Sequence, residues 1–143
     1  MDADRIEFLK NDYVKGFPGY CGFSVERVAA GIFETRLEAR SEHSQQDGFV
    51  HAGVIATMAD HTAGYAAFTI VPENVRILTV EFKINYFRPA RGKIILCRSK
   101  VISGGKKIIV SESEVFSRES RQEKLISKAL VTLMAVPQSE LKR

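Results

Sequence analysis

The chain has 143 residues, of which 45% are hydrophobic and 27% charged, and its formal net charge is +4. This balance fits one globular domain with a core and requires no second domain. Cys21 and Cys97 lie far apart and outside any metal-spaced cluster, which argues against a disulfide scaffold or a zinc ribbon and predicts two buried thiols.

The first 16 residues begin with acidic side chains and contain no apolar run of signal-peptide length. No other stretch approaches the length of a membrane span, so we expect a cytoplasmic protein without membrane contact. The positive charge would suit an anionic ligand, such as a nucleotide or a phosphate-bearing cofactor. The lysines and arginines are nevertheless scattered along the chain, so the charge is only a hint.

Residues 4–14 have apolar side chains at helical spacing and acidic residues set as a capping pair, which predicts a short amphipathic helix. We expect residues 1–16 to be a helical extension of one domain that spans residues 1–143. The following GFPGYCG segment, residues 16–22, contains three glycines and a proline and is expected to break the helix.

Residues 23–39 contain two short strand-like runs divided at Gly31, which makes a hairpin plausible. After a polar, irregular segment, residues 49–70 are almost continuously apolar and rich in small side chains. Their length favours a buried helix over a strand, and Pro72 is expected to end it.

Residues 79–87 alternate strictly, with Val80, Phe82, Ile84 and Tyr86 on one predicted face, and therefore indicate a β-strand. Three more strand candidates follow at residues 93–102, 106–116 and 124–136. The links between them are short, so these strands should be antiparallel neighbours. The expected fold is α+β, an antiparallel β-sheet wrapped around one long central α-helix.

One carboxylate, Asp60, lies in the middle of the long apolar helix. Burial removes its solvation, so it must find a partner, become neutral or face a ligand cavity. Its neighbours one turn away are small and supply no cation for a local ion pair: Ala56, Thr57, Ala63 and Gly64. Two interpretations stay open, a structural carboxylate bonded to a distant amide or arginine, and a functional group beside a cavity.

The start of the same helix, at His51, Ala52 and Gly53, offers unpaired backbone N–H groups and can hold an oxyanion. Together with Asp60 as a base or nucleophile, it would meet two needs of acyl-group hydrolysis. Ala52 and Asp60 are about 12 Å apart along one helix, too far to act on one carbonyl. Two chains with antiparallel helices would remove this objection, so the catalytic interpretation predicts a dimer with two equivalent sites.

The segments DGFVHAGVIATMAD, residues 47–60, and TVEFKINYFRPARGK, residues 79–93, resemble the hot-dog fold thioesterases of the phenylacetic-acid-degradation type. That pattern is G-x-x-H-G-G, a helix carrying L-A-D, and a strand ending in Y-x-x-P-A; the likeness covers residues 17–136. The resemblance implies an acyl-CoA thioesterase that needs no cofactor. It also implies a homo-oligomer, a dimer or a dimer of dimers, with the active site across the dimer interface.

The resemblance assigns roles residue by residue. Asp60 aligns with the catalytic carboxylate, acting as general base or as nucleophile. Ala52 replaces the first glycine of H-G-G, which keeps the N–H that polarises the thioester carbonyl but adds a methyl group. Gln45 falls where an Asn or Gln fixes the thioester or the water, and Thr79 falls where a hydroxyl lies beside the water. His51 matches the motif histidine, with direct catalysis and a structural role at the helix start as its alternatives.

The implied substrate carries phosphates, so basic residues near the site are candidate ligands for them. The candidates are Arg88 and Arg91 in the YFRPARGK segment, and Lys106 and Lys107 after the double glycine. Charged residues beside turns are also commonly just solvated, and that interpretation stands beside the first. His43 and His61 lack the partners that a zinc site needs, so no metal is expected.

Three alternatives to the thioesterase stay open. A non-catalytic acyl-CoA-binding module with the same fold is the first, and a hot-dog dehydratase or hydratase is the second. A nucleic-acid-binding protein is the third; it is disfavoured because no basic stripe or stacking platform is evident. No Ser lies in a G-x-S-x-G motif and neither Cys has a recognisable base, so a covalent Ser or Cys hydrolase is not supported.

Overall fold

The computed structural model describes residues 1–141 of the chain. It contains three α-helices and six β-strands within those residues. In chain order they are α1 (Ala3–Tyr13), α2 (Phe17–Cys21), β1 (Phe23–Ala29), β2 (Ile32–Glu38), α3 (Ala52–Phe68), β3 (Val75–Tyr86), β4 (Ile94–Gly104), β5 (Ile108–Glu119) and β6 (Gln122–Pro137).

The six strands form one antiparallel sheet in the order β1-β2-β4-β5-β6-β3. The predicted hairpin at residues 23–39 is present as β1 and β2, and its turn contains Gly31 at a φ of +72°. Strand β3 leaves its sequence neighbour β4 and pairs with β6, so β3 is one edge of the sheet. The α+β fold with an antiparallel sheet is confirmed.

Helix α3 packs against the sheet and contacts every strand from β2 to β6. Its buried face is made of small side chains, with Ala59, Ala63, Ala66 and Ala67 fully buried. Small side chains let the helix approach the strands closely, and this allows Ser113 Oγ to donate to the Ala59 carbonyl at 2.7 Å. No helix within residues 1–141 is long and apolar enough to cross a membrane.

Helix α1 lies against the C-terminal half of α3. Its buried residues are Leu9 and Tyr13, and Arg5 donates to the Phe68 carbonyl at 3.1 Å. The Tyr13 hydroxyl lies 3.0 Å from the hydroxyl of Thr62 on α3. The predicted amphipathic helix therefore forms part of the wall around the central helix.

Helix α1 ends at Tyr13, so the predicted break before residues 16–22 is confirmed, and this segment also contains the short helix α2, which the sequence did not predict. Pro18 lies in its first turn, where a missing N–H costs no hydrogen bond. Gly22 ends the helix in the left-handed conformation, with a φ of +82°. The same glycines and proline that predicted a turn thus also start and stop one helical turn.

Strand β3 has a β-bulge between Thr79 and Glu81 that the alternation in sequence does not indicate. Thr79 lies opposite Leu133 and Phe82 lies opposite Val131, and both partners are fully buried on the inner face. Since cross-strand partners share a face, Thr79 and Phe82 both point inward. The sequence prediction that Val80 shares a face with Phe82 is therefore wrong. The inward-facing residues on the two sides of the bulge are Thr79 and Phe82.

Candidate active site

Asp60 is half-buried in the middle of α3, on the side that faces the edge strand β3. Thr79 Oγ1 donates to Asp60 Oδ1 at 2.8 Å. Burial raises the pKa of Asp60, because the charged form loses solvation, and the Thr79 hydrogen bond only partly opposes this. No arginine or lysine within residues 1–141 forms an ion pair with Asp60, so the arginine partner of the structural interpretation is not found there.

A cavity of about 250 Å³ opens beside Asp60 and Thr79. It runs along α3 past Gly64 and is bounded by residues from α1, α3 and β3. The other residues that line it are Asp12, His61, Tyr65, Phe68, Arg76 and Ile77. Asp60 therefore faces a cavity, as the functional interpretation requires.

His61, Tyr65 and Asp12 were not expected to share a cavity with Asp60. His61 Nε2 donates to the Tyr13 carbonyl at 2.9 Å, and burial lowers the pKa of the His61 imidazole. Tyr65 Oη donates to Asp12 Oδ2 at 2.8 Å. These contacts join α1 to α3 and place polar groups at the far end of the cavity from Thr79.

At the start of α3, the two predicted backbone donors, the N–H groups of Ala52 and Gly53, differ in whether they are hydrogen-bonded. His51 is the N-cap residue, and its Nδ1 accepts the Gly53 N–H at 2.8 Å. The Ala52 N–H forms no hydrogen bond within the part of the chain that the structure describes. Ala52 is therefore the free donor of the pair, and His51 acts here as a structural acceptor. Tyr86 Oη donates to the Ala52 carbonyl at 2.8 Å and ties the first turn of α3 to β3.

Gln45 lies at the start of α3 with Ala52, in a second cavity of about 310 Å³ that also contains Phe49 and Tyr86. Gln45 Oε1 accepts two backbone N–H groups, from Asp47 at 2.5 Å and Phe49 at 3.2 Å. An atom that accepts two N–H groups must be the amide oxygen, so the NH₂ group is the donor. One of its two hydrogens is directed at Asp47 Oδ2, at 3.4 Å, which leaves the other for a ligand.

The two cavities lie at opposite ends of α3. Asp60 and Thr79 line one, whereas Ala52 and Gln45 line the other. The eight-residue separation of Ala52 and Asp60 in one continuous helix, Ala52–Phe68, corresponds to about 12 Å along its axis. Within one chain, the Asp60 carboxylate and the Ala52 N–H are thus two halves of a site, and they are too far apart to act on the same carbonyl group.

The four basic candidates fall into two groups. Arg88 and Arg91 border a cavity of about 200 Å³ together with Lys124, and Arg88 also borders the cavity beside Ala52. Lys106 and Lys107 border a different cavity, of about 380 Å³, beside Val71 and Pro137. The structure does not bring all four together within one chain.

The family model of the Thioesterase superfamily matches residues 47–124, which include Asp60, Thr79 and the start of α3. A protein of Halobacterium salinarum, named as a candidate esterase, is 33% identical over 122 residues and covers 80% of each chain. This chain belongs to the thioesterase superfamily. Its membership supports hydrolysis of a thioester as the general chemistry of the site.

Solved structures of thioesterase superfamily proteins have the same fold. A thioesterase family protein from Silicibacter pomeroyi aligns with a TM-score of 0.89 and 28% identity, covering 92% of this chain and 98% of that one. A phenylacetic acid degradation-related protein from Ralstonia eutropha aligns with a TM-score of 0.73 and 21% identity, covering 81% and 86%. The second likeness shows the fold alone.

Several side chains outside the candidate site have clear structural roles in this thioesterase superfamily member. His43 is buried, accepts the Arg40 N–H on Nδ1 at 2.9 Å and contacts the Cys21 carbonyl through Nε2 at 2.6 Å. Cys21 and Cys97 are buried free thiols, as expected. Burial raises the pKa of Cys97 to about 11, so its thiol is protonated and unreactive at neutral pH.

Proposed function

We propose that the protein hydrolyses acyl-CoA thioesters to a free acid and coenzyme A, at sites formed between two chains. The observation that carries this proposal is the half-buried Asp60, which faces a cavity without an ion-pair partner among the described residues. A carboxylate with a raised pKa is a stronger base than an exposed one and suits activation of water beside a thioester.

In the proposed reaction, Asp60 takes a proton from water and the water oxygen attacks the thioester carbon. The carbonyl oxygen becomes negative and accepts a hydrogen bond from the N–H of Ala52 of the partner subunit. The C–S bond then breaks, and the departing thiolate takes the proton back from Asp60. Direct attack by Asp60 to give a mixed anhydride is the alternative, and water would hydrolyse that anhydride in a second step.

The supporting residues have roles that follow from their contacts. Thr79 donates to Asp60 Oδ1 and so fixes which carboxylate oxygen faces the water. Gln45 of the partner subunit offers its amide NH₂ to the thioester, since its oxygen is held by backbone N–H groups. His51 holds the first turn of α3 through Gly53, so Ala52 is the donor that reaches the substrate.

The edge strand β3 supports assembly into a dimer. Its inward-facing Phe82 and Tyr86 remain 39% and 44% exposed, although the Tyr86 hydroxyl bonds the Ala52 carbonyl at the start of α3. A long edge strand with exposed apolar side chains is a surface on which another strand can pair. Two β3 strands paired around a twofold axis would place each Asp60 near the α3 start of the other chain, in a dimer or a dimer of dimers.

Arg88 and Arg91 are the proposed ligands for the phosphates of coenzyme A. Arg88 borders both the cavity beside Ala52 and the neighbouring basic cavity, and the Arg91 guanidinium lies 4.9 Å from the Phe49 ring centroid. A substrate with its thioester at Ala52 could therefore extend toward both arginines. Lys106 and Lys107 line a separate cavity and would contribute only if the assembly brings that surface to the same substrate.

Gly48, His51 and Asp60 match the glycine, histidine and aspartate of the G-x-x-H-G-G and L-A-D patterns. This match further supports the phenylacetic-acid-degradation type within the superfamily. The thiol part of the substrate could also be a carrier protein instead of coenzyme A, because both present the same thioester. Assays with both forms of the thioester would separate these two substrates.

The test is free-thiol release from aryl, short, medium and long acyl-CoAs by the native protein and by Asp60→Asn. We expect turnover to fall by at least about a hundredfold in Asp60→Asn, in line with removal of a general base. Asp4→Asn, which makes the same change at an exposed position of α1, is the matched control and should keep native activity.

Equal thiol release by native protein and Asp60→Asn would refute the assigned role of Asp60. If the native protein binds acyl-CoA tightly but releases no thiol, the acyl-CoA-binding module would replace the thioesterase as the best interpretation.

A further inference from the structure

The cavity beside Asp60 and Thr79 is the part of the proposed site that is left for the acyl group. The coenzyme A moiety is assigned to the other cavity, which Ala52 of the partner subunit would bring to the thioester. Gly64 leaves the acyl side open, because a Cβ atom added there would find only Leu133 Cδ2 within 4 Å, at 4.0 Å. An acyl chain that starts at Asp60 can therefore extend along α3 past Gly64.

The guanidinium of Arg76 lies at the far end of this cavity. Its central carbon is 5.5 Å from the ring centroid of Phe68, which is eight residues beyond Asp60 and hence about 12 Å further along α3. On β3, Arg76 precedes Thr79 by three residues, which corresponds to about 10 Å along the strand. Both elements therefore place the guanidinium on the order of 10 Å from the Asp60 carboxylate.

Only one nitrogen atom of the Arg76 guanidinium is engaged by the protein. Nη1 donates to the carbonyls of Glu73 at 2.7 Å and Val75 at 3.1 Å, and these bonds hold the guanidinium at the start of β3. The Nε and Nη2 atoms donate to no acceptor within residues 1–141. Their N–H groups lie on the same edge of the planar guanidinium, and this edge matches the two oxygens of a carboxylate.

The carboxylate of Asp12, which also lines the far end, is already paired elsewhere. Its Oδ1 lies 3.0 Å from Lys15 Nζ, and its Oδ2 accepts the Tyr65 hydroxyl at 2.8 Å. No acidic side chain in the part of the chain that the structure describes forms an ion pair with Arg76. Because Asp12 and Lys15 neutralise each other, Arg76 gives this end of the cavity a positive charge without an ion-pair partner.

Resting on the proposed thioesterase function, we propose that Arg76 determines substrate specificity by selecting acyl groups that end in a carboxylate, that is, thioesters of dicarboxylic acids. The Nε and Nη2 N–H groups donate to the two oxygens of the distal carboxylate, and the Phe68 ring lies beside the same guanidinium. An acyl group that ends in a neutral group leaves these donors without a charged acceptor.

The distance to Asp60 sets the length of the acyl group. Hydrogen bonds at the distal carboxylate take about 3 Å of the distance between Arg76 and Asp60. An extended chain advances about 1.2 Å per bond, so the roughly 7 Å that are left correspond to a dicarboxylic acid of about six or seven carbons.

Pairs of thioesters that differ only in the charge of the far end test this selection. Each dicarboxylic acyl-CoA from glutaryl-CoA to suberyl-CoA is compared with its terminal amide, which has nearly the same shape. For the native protein we expect kcat/KM to be about tenfold higher for adipyl-CoA or pimelyl-CoA than for the amide, as for a charged against a neutral hydrogen-bond partner. The contacts of coenzyme A are common to both members of a pair, so they cancel in this ratio. Added salt should lower the ratio, because Arg76 is only half-buried.

Arg76→Gln should bring the ratio close to unity, while kcat/KM for the amides changes little. Arg76→Lys keeps the charge but loses the paired N–H groups, so a ratio of about threefold should remain. Arg36→Gln is the matched control, because it removes the same charge from a half-buried position on the outer face of β2, and it should keep the native ratio. A loss of folding would lower both members of a pair equally and leave the ratio unchanged.

A native ratio near unity at every chain length, or an Arg76→Gln variant with the native ratio, would overturn the inference. Failure of the proposed function has a different result. If the native protein hydrolyses thioesters without preferring the carboxylate, only the role of Arg76 is refuted. If it hydrolyses none, the proposed function fails. The dissociation constants of adipyl-CoA and its amide then decide the role of Arg76, since adipyl-CoA must still bind more tightly and lose that advantage in Arg76→Gln.

Discussion

Asp60→Asn should make the protein more stable at neutral pH while it removes activity. Burial raises the pKa of Asp60, so the charged carboxylate is less favourable in the folded chain than in the unfolded one. Full burial of an unpaired ion costs several kcal/mol, but Asp60 is only half-buried and keeps the Thr79 hydrogen bond. We therefore expect a gain of about 1 kcal/mol, or an increase in Tm of about 4 °C for a chain of this size.

The pH dependence of this gain follows from the sign of the pKa change. Below the usual aspartate value of 3.8, Asp60 is protonated in both states and costs little compared with asparagine. As the pH rises through the window between 3.8 and the raised folded pKa, the unfolded state loses its proton first. Stability of the native protein therefore falls across that window relative to Asp60→Asn, and the full difference is present above it.

Thermal and urea unfolding of the native protein and Asp60→Asn, at equal chain concentration, would measure the difference at neutral pH and near pH 3.8. Equal concentration matters because assembly shifts the apparent stability. Asp4→Asn, on the exposed face of α1, should show a smaller change. A variant that is less stable than native at neutral pH, or a gain that persists unchanged near pH 3.8, would refute the argument.

Three further predictions concern the assembled site. Thr79→Val should raise the pKa of Asp60 further, so the rising limb of the pH–activity profile should move to higher pH, whereas Thr79→Ser should leave it in place. Tyr86→Phe should lower kcat about fivefold with little change in KM, because only the hydrogen bond to the Ala52 carbonyl is lost. An unchanged kcat would show that this hydrogen bond does not position the Ala52 N–H. Phe82→Lys on the exposed edge strand should give monomers by light scattering and lose activity with them, and active monomers would contradict the shared site.

Much of the fold could be predicted because its elements have strong local patterns. The long run of small apolar residues predicted α3, and strict alternation predicted β3. The short helix α2 could not be separated from a turn, since Pro18 and Gly22 favour both structures. The bulge at Val80 has no local signal either, because no glycine marks it and the alternation in sequence continues through it.

The candidate site was predictable where one segment carries the information. Ala52 and Asp60 lie in one helix that His51 caps, and Thr79 lies in the strand that follows it. The contact between Tyr65 and Asp12 joins residues 53 positions apart, so neither residue marks the other in the sequence. The role of His51 also needed the structure, because only the geometry shows that its ring accepts the Gly53 N–H and leaves Ala52 free.

In the proposed dimer, the placement of both half-sites on one helix would link activity to assembly. In a single chain, the cavity beside Asp60 lies next to the exposed edge strand, and the carboxylate is only half-buried. A second chain paired along β3 would cover that side, remove more solvent from Asp60 and bring the missing amide to it. Burial would then raise the pKa of Asp60 further, so the same contact that completes the site would also strengthen its base. Dilution below the dimer dissociation constant should therefore reduce specific activity steeply, and specific activity that does not change with dilution into monomers would contradict this coupling.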